Sequence, residues 1–309
     1  MSIRAAVNAE PDAAGEHYPR AYLFMLSGSF AFAVMGALSH LAGERCEWQV
    51  VAVARTGVAF ALSAALAAAT GVRLVWWRPA TLWVRSVAGS AGVLCAFYAL
   101  THLPISTALT LSNTVPVWVT ILAWPALGQR PAPTVWLAVA VGIVGIVLIQ
   151  RPDAAGEQLA MLAALGNALC TAVAMIGLNR LSGVDARAVV THFSGVSTVV
   201  TLAVLFLTGG AGTSARAFDG VTPLLLAGVG LAGTLGQLAM TRAFALGTPA
   251  RVSVVGLMQI VFALAFDILL WRRPFDALTA LGILLVTAPS AWLMLHHPLR
   301  KTTPIHTTA

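Results

Sequence analysis

The stretch LSNTVPVWVTILAWPALGQRP, Leu111 to Pro131, is apolar enough for lipid, yet it carries an asparagine and two interior prolines. A helix needs about 20 apolar residues to cross the hydrocarbon core, and backbone groups in lipid must bond within their own segment. A carboxamide and a missing N–H in such a segment belong on a side that faces protein or water. The stretch therefore reads as a membrane-spanning helix, 106–127, with a locally unbonded polar section at Ser112–Pro116 and a stop at Gly128–Pro131.

The remainder of the chain agrees with a lipid environment. Of its 309 residues 59% are apolar and only 9% charged, and the mean hydropathy is +0.86. A soluble domain would carry about a quarter of its residues as charges. The net charge of +7 comes from arginines scattered through short gaps, with no basic stripe interleaved with aromatics, which excludes nucleic acid as a partner. Cys46, Cys95 and Cys170 are too far apart for a disulfide framework or a zinc site. His296, His297 and His306 lack metal-ligand spacing, and neither a phosphate loop nor any other cofactor motif stands out.

Counting apolar runs predicts ten transmembrane helices: 21–41, 49–69, 84–101, 106–127, 134–149, 159–179, 188–207, 222–245, 250–271 and 277–295. Residues 1–20 read as a polar flexible tail, and 296–309 as a second tail. The first run is too long for a signal peptide, so it is expected to be retained. With the N-terminus cytoplasmic, twelve Lys and Arg residues, Arg85 among them, fall in inner segments and five in outer ones. Both termini are therefore expected in the cytoplasm, with the protein in the plasma (inner) membrane.

Shifted by 143 residues, the opening stretch meets GLMQIVFALAFDILLWRRP, with Arg130-Pro131 falling on Arg273-Pro274. Two halves, 21–150 and 159–295, would each hold five spans. Because five is odd, the second half crosses the membrane in the opposite sense, giving an all-α integral membrane protein of two inverted repeats.

Arg55 in VVAVARTGVAF, the block 97–149 beginning FYALTHLPISTALTLSNTVPVW, and the weaker counterpart at 241–274 together resemble the EamA family of the drug/metabolite transporter superfamily. The resemblance implies ten spans in two five-helix repeats and carrier-type movement of small metabolites, often export of amino acids or related compounds. The chain departs from the family pattern at Gln259, where proline is usual in the ninth span, and at Gln129 and Arg272, where an acid usually precedes Arg-Pro.

Polar residues within spans are the candidate cavity. A guanidinium inside a span costs ~2.5–3.5 kcal/mol unless it finds partners or water. Arg55 is therefore read either as structural, paired with Glu44, Glu47 or a carbonyl, or as a contact for an anionic substrate group. Asn113, Pro116, Thr120 and Trp124 share a helix side in the fourth span. Asn113 would either bridge to a neighbouring helix or meet substrate, and Pro116 frees a nearby carbonyl. Asn167, Gln237 and Gln259 add carboxamides near the middle of three further spans, and Tyr98 and Trp118 could supply flat walls or simply pack. His192, at the place comparable to Arg55, is expected at the interface. Asp267, the only acid inside a predicted span, would pair with Arg272 or Arg273; both it and His192 are coupling or gating candidates. Gly228, Ala232 and Gly236, like Gly28 and Gly36, predict close helix packing.

The expected function is a secondary transporter, not an enzyme, working by alternating access around a central cavity. Its partners are a small-molecule metabolite and the lipid bilayer, and homodimerisation is left open. An intramembrane enzyme on lipid-linked substrates would need paired acids, a nucleophile set or a metal cluster, which the sequence lacks. A non-transporting accessory subunit would need the buried polar residues to satisfy one another.

Overall fold

The computed structural model describes residues 13–103, 105–151, 158–208, 220–272 and 275–295. Every regular element among them is a helix: α1 (Ala13–Gly43), α2 (Trp48–Ala69), α3 (Ala80–His102), α4 (Ile105–Ser112), α5 (Val115–Leu127), α6 (Pro133–Gln150), α7 (Gln158–Arg180), α8 (Ala186–Leu207), α9 (Thr222–Leu246), α10 (Pro249–Gly256), α11 (Met258–Trp271) and α12 (Ala277–Leu295). Among the described residues nine segments are long and apolar enough to cross a membrane, with α4–α5 and α10–α11 each forming one crossing; α3, at the place of the expected third span, carries a shorter apolar run, Ala80–Ala96. Large apolar side chains such as Leu207 and Leu224 face outward, 85% and 73% exposed, as a lipid-bathed surface requires. The two terminal tails lie, in whole or in part, outside the described residues, as do Arg216 and Arg273. Residues 13–20, expected to be part of a tail, instead continue α1.

The fourth crossing breaks at Asn113 and Thr114, as its composition suggests. Pro116 has no N–H to give, and the chain turns through Thr114 N–H to Leu111 O at 3.2 Å and Val117 N–H to Thr114 O at 2.9 Å. The Asn113 carboxamide is used locally, donating through Nδ2 to Leu109 O at 2.7 Å. This is the competition of a short polar side chain for its own helix's carbonyls. The ninth crossing breaks as well, at Leu257, without any proline. Leu257 N–H reaches Val254 O and Ile260 N–H reaches Leu257 O, both at 3.0 Å. Here the cause is tertiary: Ser29 of α1 donates to Gly256 O at 3.4 Å, and a Cβ on Gly256 would lie 2.6 Å from Met25 Cε.

The packing follows a two-fold plan. α1 lies along α9 as α7 lies along α3; α2 meets α9 as α8 meets α3; α1 meets α10 and α11 as α7 meets α4 and α5. The pairs α2–α8 and α6–α12 exchange with themselves. At the α6–α12 crossing a Cβ on Gly145 would meet Gly282 O at 2.7 Å, and one on Gly282 would meet Gly145 O at 2.8 Å. At the α6 C-terminus Arg151 pairs with Asp276, which precedes α12, and the guanidinium holds that carboxyl well below the usual carboxylate range. Gly28 and Gly236 bring α1 and α9 together, and Gly228 meets Leu38, whereas Gly36 faces open space.

Candidate functional site

Hydroxyl and charged side chains from α2, α3, α8 and α9 form a polar seam along the bundle axis. Across α2 and α8, Thr56 and Thr201 share a hydrogen bond of 3.1 Å. Across α3 and α8, Ser90 and Ser197 share one of 2.8 Å. All four residues are buried, where an unpaired hydroxyl would be costly, so mutual bonding explains their spacing. Four residues earlier on α3 and five earlier on α8, Ser86 Oγ lies 2.8 Å from His192 Nδ1. The other ring nitrogen, Nε2, is 3.1 Å from Trp76 O. A carbonyl only accepts, so Nε2 carries the proton, and in neutral imidazole Nδ1 accepts from the Ser86 hydroxyl. His192 is 1% exposed and Trp83 meets its ring edge-on at 4.7 Å, so it is part of the core and not the interfacial side chain expected.

Beside this pair lies Arg85, counted in the sequence among inner-loop cations but in fact a fully buried residue of α3. Its stem passes Gly177 of α7, whose added Cβ would be 3.1 Å from Arg85 Cβ. Nη2 donates to Gln237 Oε1 of α9 at 3.1 Å, and Cζ stands 3.7 Å from the Phe193 ring centroid. Nε and Nη1 are buried without an acceptor. A Cβ on Gly89 would lie 2.8 Å from the same Phe193 ring and 3.3 Å from Nη1, so both Gly89 and Gly177 make the slot in which the guanidinium rests. The signal was present in the sequence as Arg85-Ser86 followed by Gly89-Ser90, two small or polar pairs one helical turn apart. A span started at Val84 hid it at a boundary.

Arg55 approaches the same region from α2. A Cβ on Gly233 of α9 would lie 3.5 Å from Arg55 Cγ. Together with Phe193, Ser194 and Gln237 it lines a cavity of about 10 Å³, the space of one water. The acids proposed as its partners are elsewhere: Glu44 stands 3.9 Å from His40 beyond the end of α1, and Glu47 is exposed. Among the described residues neither Arg55 nor Arg85 is paired with an acid.

The structure thus brings Arg55, His192 and Gln237 together and leaves the other candidates apart. Asn167 accepts from Thr171 Oγ1 at 3.3 Å and faces Gly92 of α3. Tyr98 stacks on His102 at 4.1 Å, and Trp118 joins the apolar cluster around Val119 and Ala172. Pro116 is buried at the fourth-crossing break; Gln259 follows the ninth. Asp267 lies near the C-terminal end of α11.

A second cavity, about 540 Å³, opens at the end of the bundle where α1 begins and α9 finishes. Arg20, Phe24, Ser182, Thr241 and Arg242 line it, and Thr241 Oγ1 is buried there without a partner. Thr241 is one turn along α9 from Gln237. A tight apolar cluster containing Leu82, Leu178, Val189 and Met240 occupies the same turn on each helix, next to Arg85, Gly177, His192 and Gln237 in sequence. The mouth and the seam are separated by that layer.

Comparison with known proteins agrees with this architecture. The sequence model described as the EamA-like transporter family matches residues 19–151 and again 155–295. A pseudopaline exporter, CntI, of Pseudomonas aeruginosa is 29% identical over 270 residues, 86% of this chain and 93% of the exporter. Solute carrier family 35 member G1 of Homo sapiens is 25% identical over 221 residues, 67% of this chain and 60% of the carrier. One protein of known crystal structure shares the fold with a TM-score of 0.77 at 18% identity, covering 89% of this chain and 96% of that one.

Proposed function

The chain belongs to the EamA-like transporter family, and we propose that it is a secondary carrier exporting small polar or amphipathic metabolites, amino acids and related compounds first among them. The observation that supports this best is the buried polar seam between α2, α3, α8 and α9, set beneath a mouth at one end of the bundle. Its hydroxyls satisfy one another, but the Arg55 and Arg85 guanidinium groups within it have no acid partner among the described residues, and a buried charge left so is expensive in a membrane protein unless a solute or water meets it. The name of the Pseudomonas relative, an exporter, favours outward movement.

We place both termini in the cytoplasm. With Arg85 removed from the inner count, eleven Lys and Arg residues still lie on that side against five on the other. The mouth is then cytoplasmic. The two repeats, 21–150 and 159–295, would rock about α2–α8 and α6–α12, opening the seam to each side in turn. The helix breaks at Asn113-Thr114 and Leu257, with Pro116 and Gln259 beside them, are the positions at which the halves would flex. His192 is the titratable side chain in the wall of the seam, and thus the candidate for proton coupling; Asp267 is near the far end.

Untargeted metabolite profiling of cells lacking and overproducing the protein tests the reading. A compound class that accumulates inside deficient cells and outside overproducers is expected; unchanged profiles in both strains would remove the export assignment.

A further inference from the structure

We propose that the solute is a small organic anion whose carboxylate is bound between the Arg85 and Arg55 guanidinium groups. The inference rests on the carrier reading and names its substrate class.

Arg85 is 1% exposed in the protein interior, yet only one of its three nitrogens has an acceptor. Its one partner, Gln237, is neutral, and the Phe193 ring covers one face of the guanidinium. A cation–π contact and a neutral hydrogen bond offset part of the cost of burying this charge, but they leave Nε and Nη1 with nothing to receive them. Buried charges are otherwise paired, and replacement of such groups by apolar ones is often neutral or stabilising. A guanidinium kept here in a slot of two glycines therefore points to a partner of opposite charge.

Among the described residues no acid supplies that partner. Asp185, at the start of α8, accepts from the Arg187 backbone N–H, and Asp276 is occupied by Arg151. Glu44 and Glu47 lie between α1 and α2, and Asp267 is on α11 close to its end. None of them bonds to Arg85 or Arg55. The second guanidinium adds a further uncompensated charge: Arg55 lies against Gly233, one turn along α9 from Gln237, so the two cations flank the same short section of that helix.

The chemistry favours a carboxylate. A guanidinium presents planar fork edges, Nη2 with Nε and Nη2 with Nη1, that a planar carboxylate fits in bidentate fashion; on Arg85 the Nε and Nη1 ends of both edges lack an acceptor, and Nη2, which donates one hydrogen to Gln237, has a second to share. Phe193 and the glycines leave an apolar wall for the remainder of the solute. The cavity at Arg55 and Gln237, about 10 Å³, is too small for any such compound, so binding needs the closed seam to open. The mouth is suited to the same class, since Arg20 and Arg242 line it.

The test uses the purified full-length protein in detergent at constant ionic strength. Thermal unfolding is followed against rising concentrations of glutamate, glutarate, citrate and N-acetylglutamate, of glutaramide, the carboxylate-free amide of glutarate, and of phosphoethanolamine, a phosphate ester without a carboxylate. Arg85→Met and Arg55→Met variants are run beside the wild type. Expected is a saturable rise in Tm with at least one carboxylate and none with glutaramide, because binding to the folded state alone raises stability. Each variant should need a roughly tenfold or higher concentration for the same rise, the loss of one charge-assisted hydrogen bond. Stabilisation by glutaramide, by phosphoethanolamine in place of carboxylates, by carboxylates equally in both variants, or by no carboxylate would overturn the proposal. If metabolite profiling finds an exported neutral solute whose efflux Arg85→Met leaves unchanged, the anion inference fails while the carrier reading stands.

Discussion

The two halves of the bundle share one packing plan but not one chemistry. α1 on α9 repeats α7 on α3, and Gly145 and Gly282 press into each other's backbone as equals. The charge in the seam, by contrast, is one-sided. Arg55 and Arg85 both come from the first half, while the second half contributes His192, Phe193, Ser194, Ser197 and the neutral acceptor Gln237. Repetition of a fold constrains the residues that set helix separation, because a misfit there costs both copies. It places no such constraint on the lining of the cavity, where one half can carry the cations and the other their wall.

The widest departure from that picture is expected when the charged half is made neutral. Arg55→Met together with Arg85→Met should reduce transport of the exported solute to background, on the order of a hundredfold or more, with the protein still present in the membrane. Transport assay with quantified membrane protein checks this. If transport persists, the charge difference between the halves has no functional meaning.

The symmetric part of the comparison predicts matched losses. Gly145→Val and Gly282→Val should each lower stability by about 1–3 kcal/mol, seen as similar falls in Tm, since each added side chain meets the other helix's backbone. A large fall in one and none in the other would break the two-fold account of the α6–α12 crossing.

The smallest effect is expected at His192. His192→Gln can still bond to Ser86 and Trp76, so a change of only a few-fold in rate is expected, together with a flatter rate profile between about pH 5 and 8. A profile identical to wild type would remove His192 as a coupling group.

Much of the fold was legible because lipid imposes simple demands on length and hydropathy, which Ala277–Leu295 and Thr222–Leu246 meet openly. The fourth-crossing break was legible too, since Pro116 and Asn113 act on their own helix. The ninth break was not: GLMQ carries no proline, and its turn depends on Met25 and Ser29 from a helix more than 200 residues away. The site was half legible. Arg55 and Gln237 stood out as polar residues within apolar runs, but Arg85 followed a loop rich in tryptophan and arginine and was counted with it. His192 looked interfacial because its depth in sequence is small, whereas α3 and the Trp76 loop cover it. Local pattern reports which residues are polar; only the packing of α3 against α7 and α8 reports which are dry.

The central claim is that the buried Arg85 charge exists for a solute and not for the fold. Paired measurement of thermal unfolding and transport in Arg85→Met tests it most directly. The account predicts a Tm equal to or above that of the wild type with transport largely lost. A lowered Tm with transport per folded molecule unchanged would contradict it and make Arg85 a structural residue.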